Sequence, residues 1–495
     1  MSAKRCKTTH AAELYYDCSI PLEIFAYICK FLESADKLAF VSTCKYMRRL
    51  IREKYLSLPI FVGRTYPTTR QINPLVSTVS IAHPAPDIHM FFREYAPAIY
   101  QINVAAMVVI PEMPQLVSMS VVGRNITRIP EAPKLYQCIA ENSAITDIST
   151  LGSCRGLHVL QLAGSPVTDI TPLKHCTSLQ LLTLPCSCAP TLSAISYLSH
   201  LILLVIRDGN SGNAIITLPE LPVSLATIII GNAIADCGRL TGLINLEHLQ
   251  IKCHQETLSL NFVAVMPRLQ LCDITGPTVT DVRGLAACKL LSVLRLHTVA
   301  PDVDLSVLNV CARLATITIT GVCAPDIAFR LPSLRVFKIY ASISTSISGV
   351  QYSPALTSLD ISGSWIAHLP GGTWSSNLQK LNIAETLISD MSGLIVPKLC
   401  RIDISETQIA DISVLAGCPD LQKIDISASY VADIHPLAAC RNIDTFAATS
   451  CKSIRDISTL LQLPRLTTVV ITECKIVNAA IIATALSARG VMTYI

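Results

Sequence analysis

Aspartate and cysteine recur along the chain at a fixed distance from each other, in the consensus (I/V)-x-D-(I/V/M)-x-x-L-x-x-C. Carboxylates can act as general acids or bases, and thiolates can act as nucleophiles or metal ligands. Consecutive copies lie 21 to 23 residues apart, so each residue type occupies one register of a repeated unit. The aspartates in this register are Asp147, Asp169, Asp281, Asp390, Asp411, Asp433 and Asp456.

The repeated register favours a structural role for both residue types. An aspartate there can accept backbone N–H bonds and cap a short helical turn, which is the role we predict. The cysteines are predicted to be small buried side chains, and they are Cys154, Cys176, Cys288, Cys418 and Cys440. A zinc site or a bridge between Cys418 and Cys440 is the alternative, but no second C-x-x-C pair completes a tetrahedral site.

Motifs of catalytic sites are missing from the sequence. It contains no G-x-G-x-x-G, G-x-x-x-x-G-K-(S/T), H-E-x-x-H or G-x-S-x-G, and its eleven histidines are scattered. We therefore expect no catalytic residue, no metal and no cofactor, and a protein that is not an enzyme.

A second pattern, L-x-x-L-x-(L/I), precedes each copy of the first. It indicates the secondary-structure elements that hold the aspartates and cysteines in place. About 17 clear copies start between Leu116 and Leu466, at steps of 19 to 24 residues, and weaker ones begin at Val76 and Ile99. A period near 22 with this pattern resembles the leucine-rich repeat family, and its short-repeat branch of internalins in particular. The resemblance implies an α/β solenoid, a horseshoe or arc with parallel strands on the concave face.

Composition agrees with many short buried strands. The 495 residues are 51% hydrophobic but only 5% aromatic, and the longest apolar run is about six residues, against the roughly 20 of a membrane-spanning helix. We expect no membrane span.

The N-terminus lacks the apolar stretch of a secretory signal, so the 20 cysteines should be reduced in the cytoplasm or nucleus. An organelle presequence is the alternative, since no acidic residue precedes Glu13. A net charge of +4 without charge runs gives little support for nucleic acid.

Alternation along the strands predicts which side chains face outward. One such column includes Gln161, Thr183, Asp360 and Asp403, and the column before it includes Lys380, Arg401 and Lys423. The C-terminal charges are interpreted as a self-neutralising ladder, with a polar partner site as the alternative. The predicted partner-binding residues on the concave face are Leu181, Leu203, Val205, Ile229, His248, Gln250, Arg295 and Lys338, of which the first four form an apolar patch.

Residues 18–55 do not repeat and have helical periodicity. The stretch IPLEIFAYICKFLESADKLAFVSTCKYMRRL resembles the F-box, with Ile20, Thr43 and Met47 as departures. The resemblance implies a three-helix domain that binds a Skp-type linker, and through it a cullin and a RING subunit. The implied contact residues are Pro21, Leu22, Ile24, Ile28, Phe31, Leu32, Val41 and Cys44. A helical cap on the solenoid is the alternative.

The expected organisation is a tail over residues 1–17, an F-box-like domain over 18–55 and a repeat solenoid over 56–495, with a terminal cap over 486–495. By resemblance, the chain is a substrate-recognition adaptor of a Skp–cullin–F-box ubiquitin ligase, monomeric within that complex, whose repeats hold a protein substrate. The alternative is a non-catalytic scaffold of a stable complex. The sequence leaves the substrate unidentified.

Overall fold

The structure, a computed structural model, describes residues 59–62, 78–81, 92, 96, 99–105, 109–123, 126–207, 215–322 and 326–494. The chain forms two compact units, Met1–Leu157 and His158–Ile495. The predicted F-box-like domain and the tail before it lie outside the described residues. The strands described in the first unit pair in parallel: β1 Pro59–Val62, β2 Thr78–Ile81, β3 Gln101–Val104, β4 Ser118–Val121 and β5 Gln137–Ile139.

The second unit has the same architecture, with parallel strands on one side of its coils. The strands are β6 Val159–Gln161, β7 Leu181–Leu184, β8 Leu203–Ile206, β9 Thr227–Ile234, β10 His248–Cys253, β11 Thr257–Ser259, β12 Leu271–Asp281, β13 Val293–Val299, β14 Thr316–Val322, β15 Val336–Ile339, β16 Ser358–Asp360, β17 Lys380–Asn382, β18 Arg401–Asp403, β19 Lys423–Asp425, β20 Thr445–Ala447, β21 Thr468–Val470 and β22 Met492–Tyr494. Each pairs in parallel with the strand of the next coil, except that β10 pairs with β12 and the short β11 pairs with the far end of β12.

The coil over residues 399–418 shows how the sequence produces this arrangement. Leucine and isoleucine of L-x-x-L-x-L turn inward on the strand side. The apolar residues and the cysteine of (I/V)-x-D-(I/V/M)-x-x-L-x-x-C turn inward on the opposite side, here called the return side. All of these side chains are at most 3% exposed: Leu399, Ile402, Ile404, Ile409, Ile412, Leu415 and Cys418. Burying one such aliphatic side chain stabilises the fold by about 1.5–3 kcal/mol. Because a coil covers them only by stacking on its neighbours, the core is continuous along the unit.

The return side is built from short 3₁₀ helices. Their bounds are Ser149–Ser153 in the first unit and, in the second, Thr171–His175, Cys186–Tyr197, Gly238–Leu240, Leu260–Val265, Arg283–Ala287, Leu305–Val310, Ser348–Tyr352, Thr373–Asn377, Ser413–Gly417, His435–Ala439 and Ser458–Gln462. An α-helix, α1 Ala479–Ser487, precedes β22 in the C-terminal coil. In the part of the chain that the structure describes, no helix is long and apolar enough to cross a membrane.

The predicted repeat is confirmed in its strand positions. Strands begin at Thr78 and Gln101 in the two weak copies, and the last residues form β22, as the sequence indicates. The helix α1 was not predicted, because its apolar residues do not follow the repeat. The domain boundaries stay a prediction.

Candidate functional site

The seven aspartates of the repeated register cap the turn that opens the return side, as predicted. In each case Oδ1 accepts the backbone N–H of the residue two positions later, at 2.8 Å for Asp147 and 2.7 Å for Asp411. The same bond is present at Asp169, Asp281, Asp390, Asp433 and Asp456. These hydrogen bonds favour the charged carboxylate and lower the pKa of Asp147, Asp390 and Asp456.

Two further aspartates make the same cap and were missed in the sequence. Asp236 accepts the N–H of Gly238 and Asp304 that of Ser306, both at 2.8 Å. Asp304 could have been identified as a cap from the sequence, because it lies seven residues before Cys311, which is the spacing of the consensus. The match was hidden because Asp302 stands where the consensus has isoleucine or valine.

The five cysteines of the repeated register are fully buried, and the thiols of four of them contact carbonyl oxygens of the preceding coil: Cys154, Cys288, Cys418 and Cys440. Cys418 Sγ lies 3.2 Å from the Val396 oxygen, and Cys440 Sγ lies 3.0 Å from the Leu415 oxygen. Burial raises the pKa of the Cys418 thiol to about 12 and that of Cys440 to about 11. Since zinc and disulfide chemistry need the thiolate, this environment disfavours both at these two residues.

Metal ligands are not brought together in the described part of the chain, where no group of three or more histidine, cysteine or acidic side chains could hold an ion. The closest thiols described are Cys237 and Cys253, whose sulfur atoms lie 3.1 Å apart in the core. They belong to neighbouring coils and were not singled out in the sequence, because they fall outside the repeated register.

The alignment of the predicted columns from strand to strand is confirmed by the strand register. Val205 pairs with Ile229, Ile229 with Gln250, and Arg295 with Thr318, which pairs with Lys338. We call the surface formed by these two columns on β6–β22 the strand face. The structure therefore places all eight predicted partner-binding residues on one face.

The apolar patch at the start of the strand face is less exposed than predicted. Val205 is only 6% exposed, and Leu181, Leu203 and Ile229 are half-buried. The prediction that Val205 faces water is wrong, because Val205 lies in register between Thr183 and Ile229 and its neighbours cover it. Thr183 is also buried, at 4% exposed.

The polar residues in the middle of the strand face are exposed or half-buried, and several of them already contact other side chains. His248 and Gln250 on β10 are exposed, and His248 Nδ1 lies 3.3 Å from the Thr227 hydroxyl. Arg295 Nη1 lies 3.3 Å from Asp273 Oδ2, so this cation already has a carboxylate partner. Lys338 is half-buried beside Tyr340.

The C-terminal part of the strand face forms a groove of about 360 Å³, here called the C-terminal groove. One side carries Lys380, Arg401 and Lys423, which we call the basic row, and the other carries an acidic or amide residue on each strand. Its lining includes Lys338, Ser358, Asp360, Lys380, Asn382, Arg401, Asp403, Lys423, Asp425 and Thr445.

The predicted self-neutralising ladder is not formed by direct ion pairs. Asp403 Oδ1 accepts the N–H of Ser405 at 3.0 Å, and Asp425 Oδ1 accepts that of Ser427 at 2.9 Å. Ion pairs within 4.0 Å among the described residues involve other arginines, and none joins the basic row to these aspartates. The Oδ1 atoms of these carboxylates instead cap the turn that ends each strand.

The structure does not describe the predicted Skp-type contact residues. Pro21, Leu22, Ile24, Ile28, Phe31, Leu32, Val41 and Cys44 lie outside the described residues, so their role stays a prediction.

Comparison with known proteins identifies the fold. No protein-family model matches the chain, and no curated protein sequence matches it. Among solved structures, a leucine-rich repeat protein of Leptospira interrogans is similar over 89% of this chain and 100% of its own, with a TM-score of 0.51 and 11% identity. The fold is that of a leucine-rich repeat solenoid.

Two plant receptors share this leucine-rich repeat fold. The ectodomain of the receptor kinase GASSHO1/SCHENGEN3 from Arabidopsis thaliana, in complex with CASPARIAN STRIP INTEGRITY FACTOR 2, is similar over 81% of this chain and 55% of its own, with a TM-score of 0.56 and 13% identity. The plant peptide hormone receptor RGFR1, in complex with RGF2, is similar over 81% and 70%, with a TM-score of 0.51 and 14% identity. At these identities the likeness concerns the leucine-rich repeat fold alone.

Proposed function

We propose that this chain is a non-catalytic recognition subunit that binds a protein partner on its strand face. The observation that carries this proposal is the pair of side-chain columns on parallel strands, part of which lines the C-terminal groove. Strands about 4.8 Å apart hold successive side chains at fixed spacing, so the face can present a rigid pattern to a folded or helical partner. The complexes of GASSHO1/SCHENGEN3 and RGFR1 support the proposal as examples of this fold engaging a ligand.

Photo-crosslinking from defined positions tests where the partner binds. A benzophenone amino acid is introduced at Thr318, Ser358 or Thr445 on the strand face, and at Thr171 or Ser413 on the return side as controls. We expect discrete crosslinked protein products from the first three positions only. Products that arise from the return side alone would contradict binding on the strand face.

We further propose that the partner is a substrate presented for ubiquitination. The support is the F-box-like pattern in the sequence, in which Pro21, Ile24, Ile28, Phe31 and Leu32 fall where that family has its linker contacts. The chain would then perform no chemistry itself, and its contribution would be to raise the local concentration of substrate near the charged enzyme. The alternative proposal is a scaffold in which residues 18–55 only cover the end of the repeats.

Co-purification with a Skp-type linker separates these two proposals. The full chain and its Pro21→Ala/Ile28→Asp variant are each mixed with purified linker, and Lys30→Gln, which lies between the pattern positions, serves as the control. The adaptor proposal requires that the unchanged chain and the control bind the linker and that the double variant does not. If the unchanged chain fails to bind while crosslinks from the strand face persist, the scaffold proposal stands instead.

A further inference from the structure

The basic row brings three like charges together on adjacent strands. Lys380, Arg401 and Lys423 occupy the same position on β17, β18 and β19, pair in register, and are all exposed. With strands about 4.8 Å apart, the three positions span about 9.6 Å. Like charges directly opposite each other destabilise a sheet, so the row does not stabilise the fold.

The nearby carboxylates form no direct ion pair with this row. Asp403 and Asp425 point their Oδ1 atoms at backbone N–H groups of their own turns, and Asp403 also accepts the Ser405 hydroxyl at 2.7 Å. On β17 the equivalent residue is the neutral Asn382, whose Oδ1 accepts the N–H of Ala384. Like charges that lie side by side without a direct ion pair are an arrangement often found at functional sites.

We propose that the basic row is the docking site for an acidic helical segment of the protein partner, an inference that rests on the proposed function of the strand face. The charge of the row requires carboxylates on the partner. In a helix, acidic residues at positions i, i+4 and i+7 span about 10.5 Å along the axis, close to the length of the row. In an extended segment, alternate residues i, i+2 and i+4 span about 13 Å, which fits the row less well.

The other side of the C-terminal groove restricts how the segment lies. Asp360, Asp403 and Asp425 line the groove beside the row, so acidic residues on the opposite side of the partner helix would be repelled. The segment therefore carries its acidic stripe on one side and neutral or basic residues on the other. One helix that crosses β16–β20 over the groove can meet both requirements. Its acidic side faces the basic row, and its neutral or basic side faces the aspartates.

Binding of a designed peptide to the full chain tests this inference. The probe is a fluorescent helical peptide with glutamates at i, i+4 and i+7, and a second peptide has the same composition with the glutamates placed around the helix. Fluorescence anisotropy at low salt should show that the striped peptide binds, that the scrambled peptide binds at least about tenfold more weakly, and that added salt weakens both.

Charge-neutralising variants locate the binding site. We expect Lys380→Gln/Arg401→Gln/Lys423→Gln to weaken binding of the striped peptide at least about tenfold. The matched control Lys174→Gln/Lys289→Gln/Arg441→Gln removes the same charges from exposed positions away from the strand face and should change binding less than twofold. Unfolding midpoints of both triple variants show whether the fold is retained.

Three outcomes would overturn the inference: no binding of the striped peptide, equal binding of the two peptides, or equal losses in the two triple variants. If one of these occurs while crosslinks from Thr318, Ser358 and Thr445 persist, the acidic helix is wrong and protein recognition by the strand face stands. If the crosslinks also disappear from these positions, the proposed function itself fails.

Discussion

Two regions of the second unit share one repeat but end their strands differently. In the middle coils the strands β9, β10, β12, β13 and β14 run for 6 to 11 residues, whereas β16–β21 all stop after three. The leucine pattern is the same in both regions. The difference shows that the leucines determine where a strand lies and other residues determine where it stops.

At the ends of β16–β19 the residues are polar and regularly spaced. An aspartate or asparagine at the last strand position accepts the N–H two residues later, as at Asp403 and Asp425. Four residues after it, a hydroxyl donates to the carbonyl that follows the strand: Thr407 to Ile404 at 2.6 Å and Ser429 to Ile426 at 2.6 Å. Between the two caps lies a left-handed residue, with φ of 55° at Glu406.

The middle coils lack the hydroxyl. The residues four positions after Gln250, Asp273 and Arg295 are His254, Pro277 and Val299, none of which can make this bond. In these coils the strand continues past that position. The hydroxyl is not the only way to end a strand, because β20 and β21 have Cys451 and Cys474 in its place and also stop after three residues. Outside both regions, β6 supports the same rule, because Ser165 donates to Leu162 and the strand has three residues.

The largest expected effect concerns two glycines at the same register position, Gly276 in the middle coils and Gly363 in the C-terminal coils. A Cβ at Gly276, whose φ is +107°, would lie 2.4 Å from the Cys253 carbonyl oxygen. A Cβ at Gly363, whose φ is +65°, would lie 3.6 Å from its nearest neighbour, and Ala428 already occupies the equivalent position. We expect Gly276→Ala to lower the free energy of unfolding by about 3 kcal/mol or more and Gly363→Ala by about 1 kcal/mol or less.

Denaturant unfolding of the two variants measures this difference. If both substitutions cost the same, the backbone at Gly276 and Gly363 does not differ between the regions in the way described.

The second prediction concerns the hydroxyl cap. Thr407 is 2% exposed, and Thr407→Val keeps its shape but leaves the Ile404 carbonyl without this donor. We expect the free energy of unfolding to fall by about 1–2 kcal/mol, and amide hydrogen exchange to rise around residues 403–409. Thr318→Val on β14 is the control, because that strand does not end at a hydroxyl, and it should cost less than about 0.5 kcal/mol. A larger loss in Thr318→Val would contradict the rule.

Much of the fold could be predicted from the sequence, because leucine spacing alone defines the strand register and the core. The positions at which the strands end could not be predicted. From the sequence alone, Asp360, Asp403 and Asp425 are interpreted as charges beside the basic row and not as caps. The pattern D-x-S-x-(S/T) was present at DISGS, DISET and DISAS, but its function depends on backbone bonds that a charge pattern does not reveal. The exposure of Val205 was also unpredictable, because it depends on the size of its neighbours in adjacent coils.

The third prediction concerns the caps of the return side, which both regions share. Hydrogen bonds lower the pKa of Asp304 in the middle coils and of Asp390 and Asp456 in the C-terminal coils from the usual 3.8. A lowered pKa in the folded state means that the stabilisation is complete above pH 3.8 and is lost as the pH falls through the folded values. We expect the melting temperature to fall between pH 5 and pH 2.

Replacing Asp390 by asparagine separates the effect of protonation from the effect of the hydrogen bond. Asp390→Asn keeps an acceptor oxygen but cannot be protonated, so its melting temperature should depend less on pH than that of the unchanged protein. An identical acid dependence in the variant would show that Asp390 does not contribute. Because the caps occur in both regions, hydrogen exchange should report the loss in middle and C-terminal coils alike.

The smallest expected effect is at the one position where the middle coils carry an aspartate in the strand-face column. Asp273 is 8% exposed and makes no cap with its own turn, but it pairs with Arg295 at 3.3 Å. Because the Arg295 side chain is 50% exposed, solvent screens the pair, and we expect Arg295→Gln to cost at most about 1 kcal/mol and less at high salt. Asp403→Ala, which removes a cap, should cost about 1 kcal/mol regardless of salt. If the two variants showed the same salt dependence, the two aspartates would have the same role, and the proposed distinction between pairing in the middle coils and capping in the C-terminal coils would be lost.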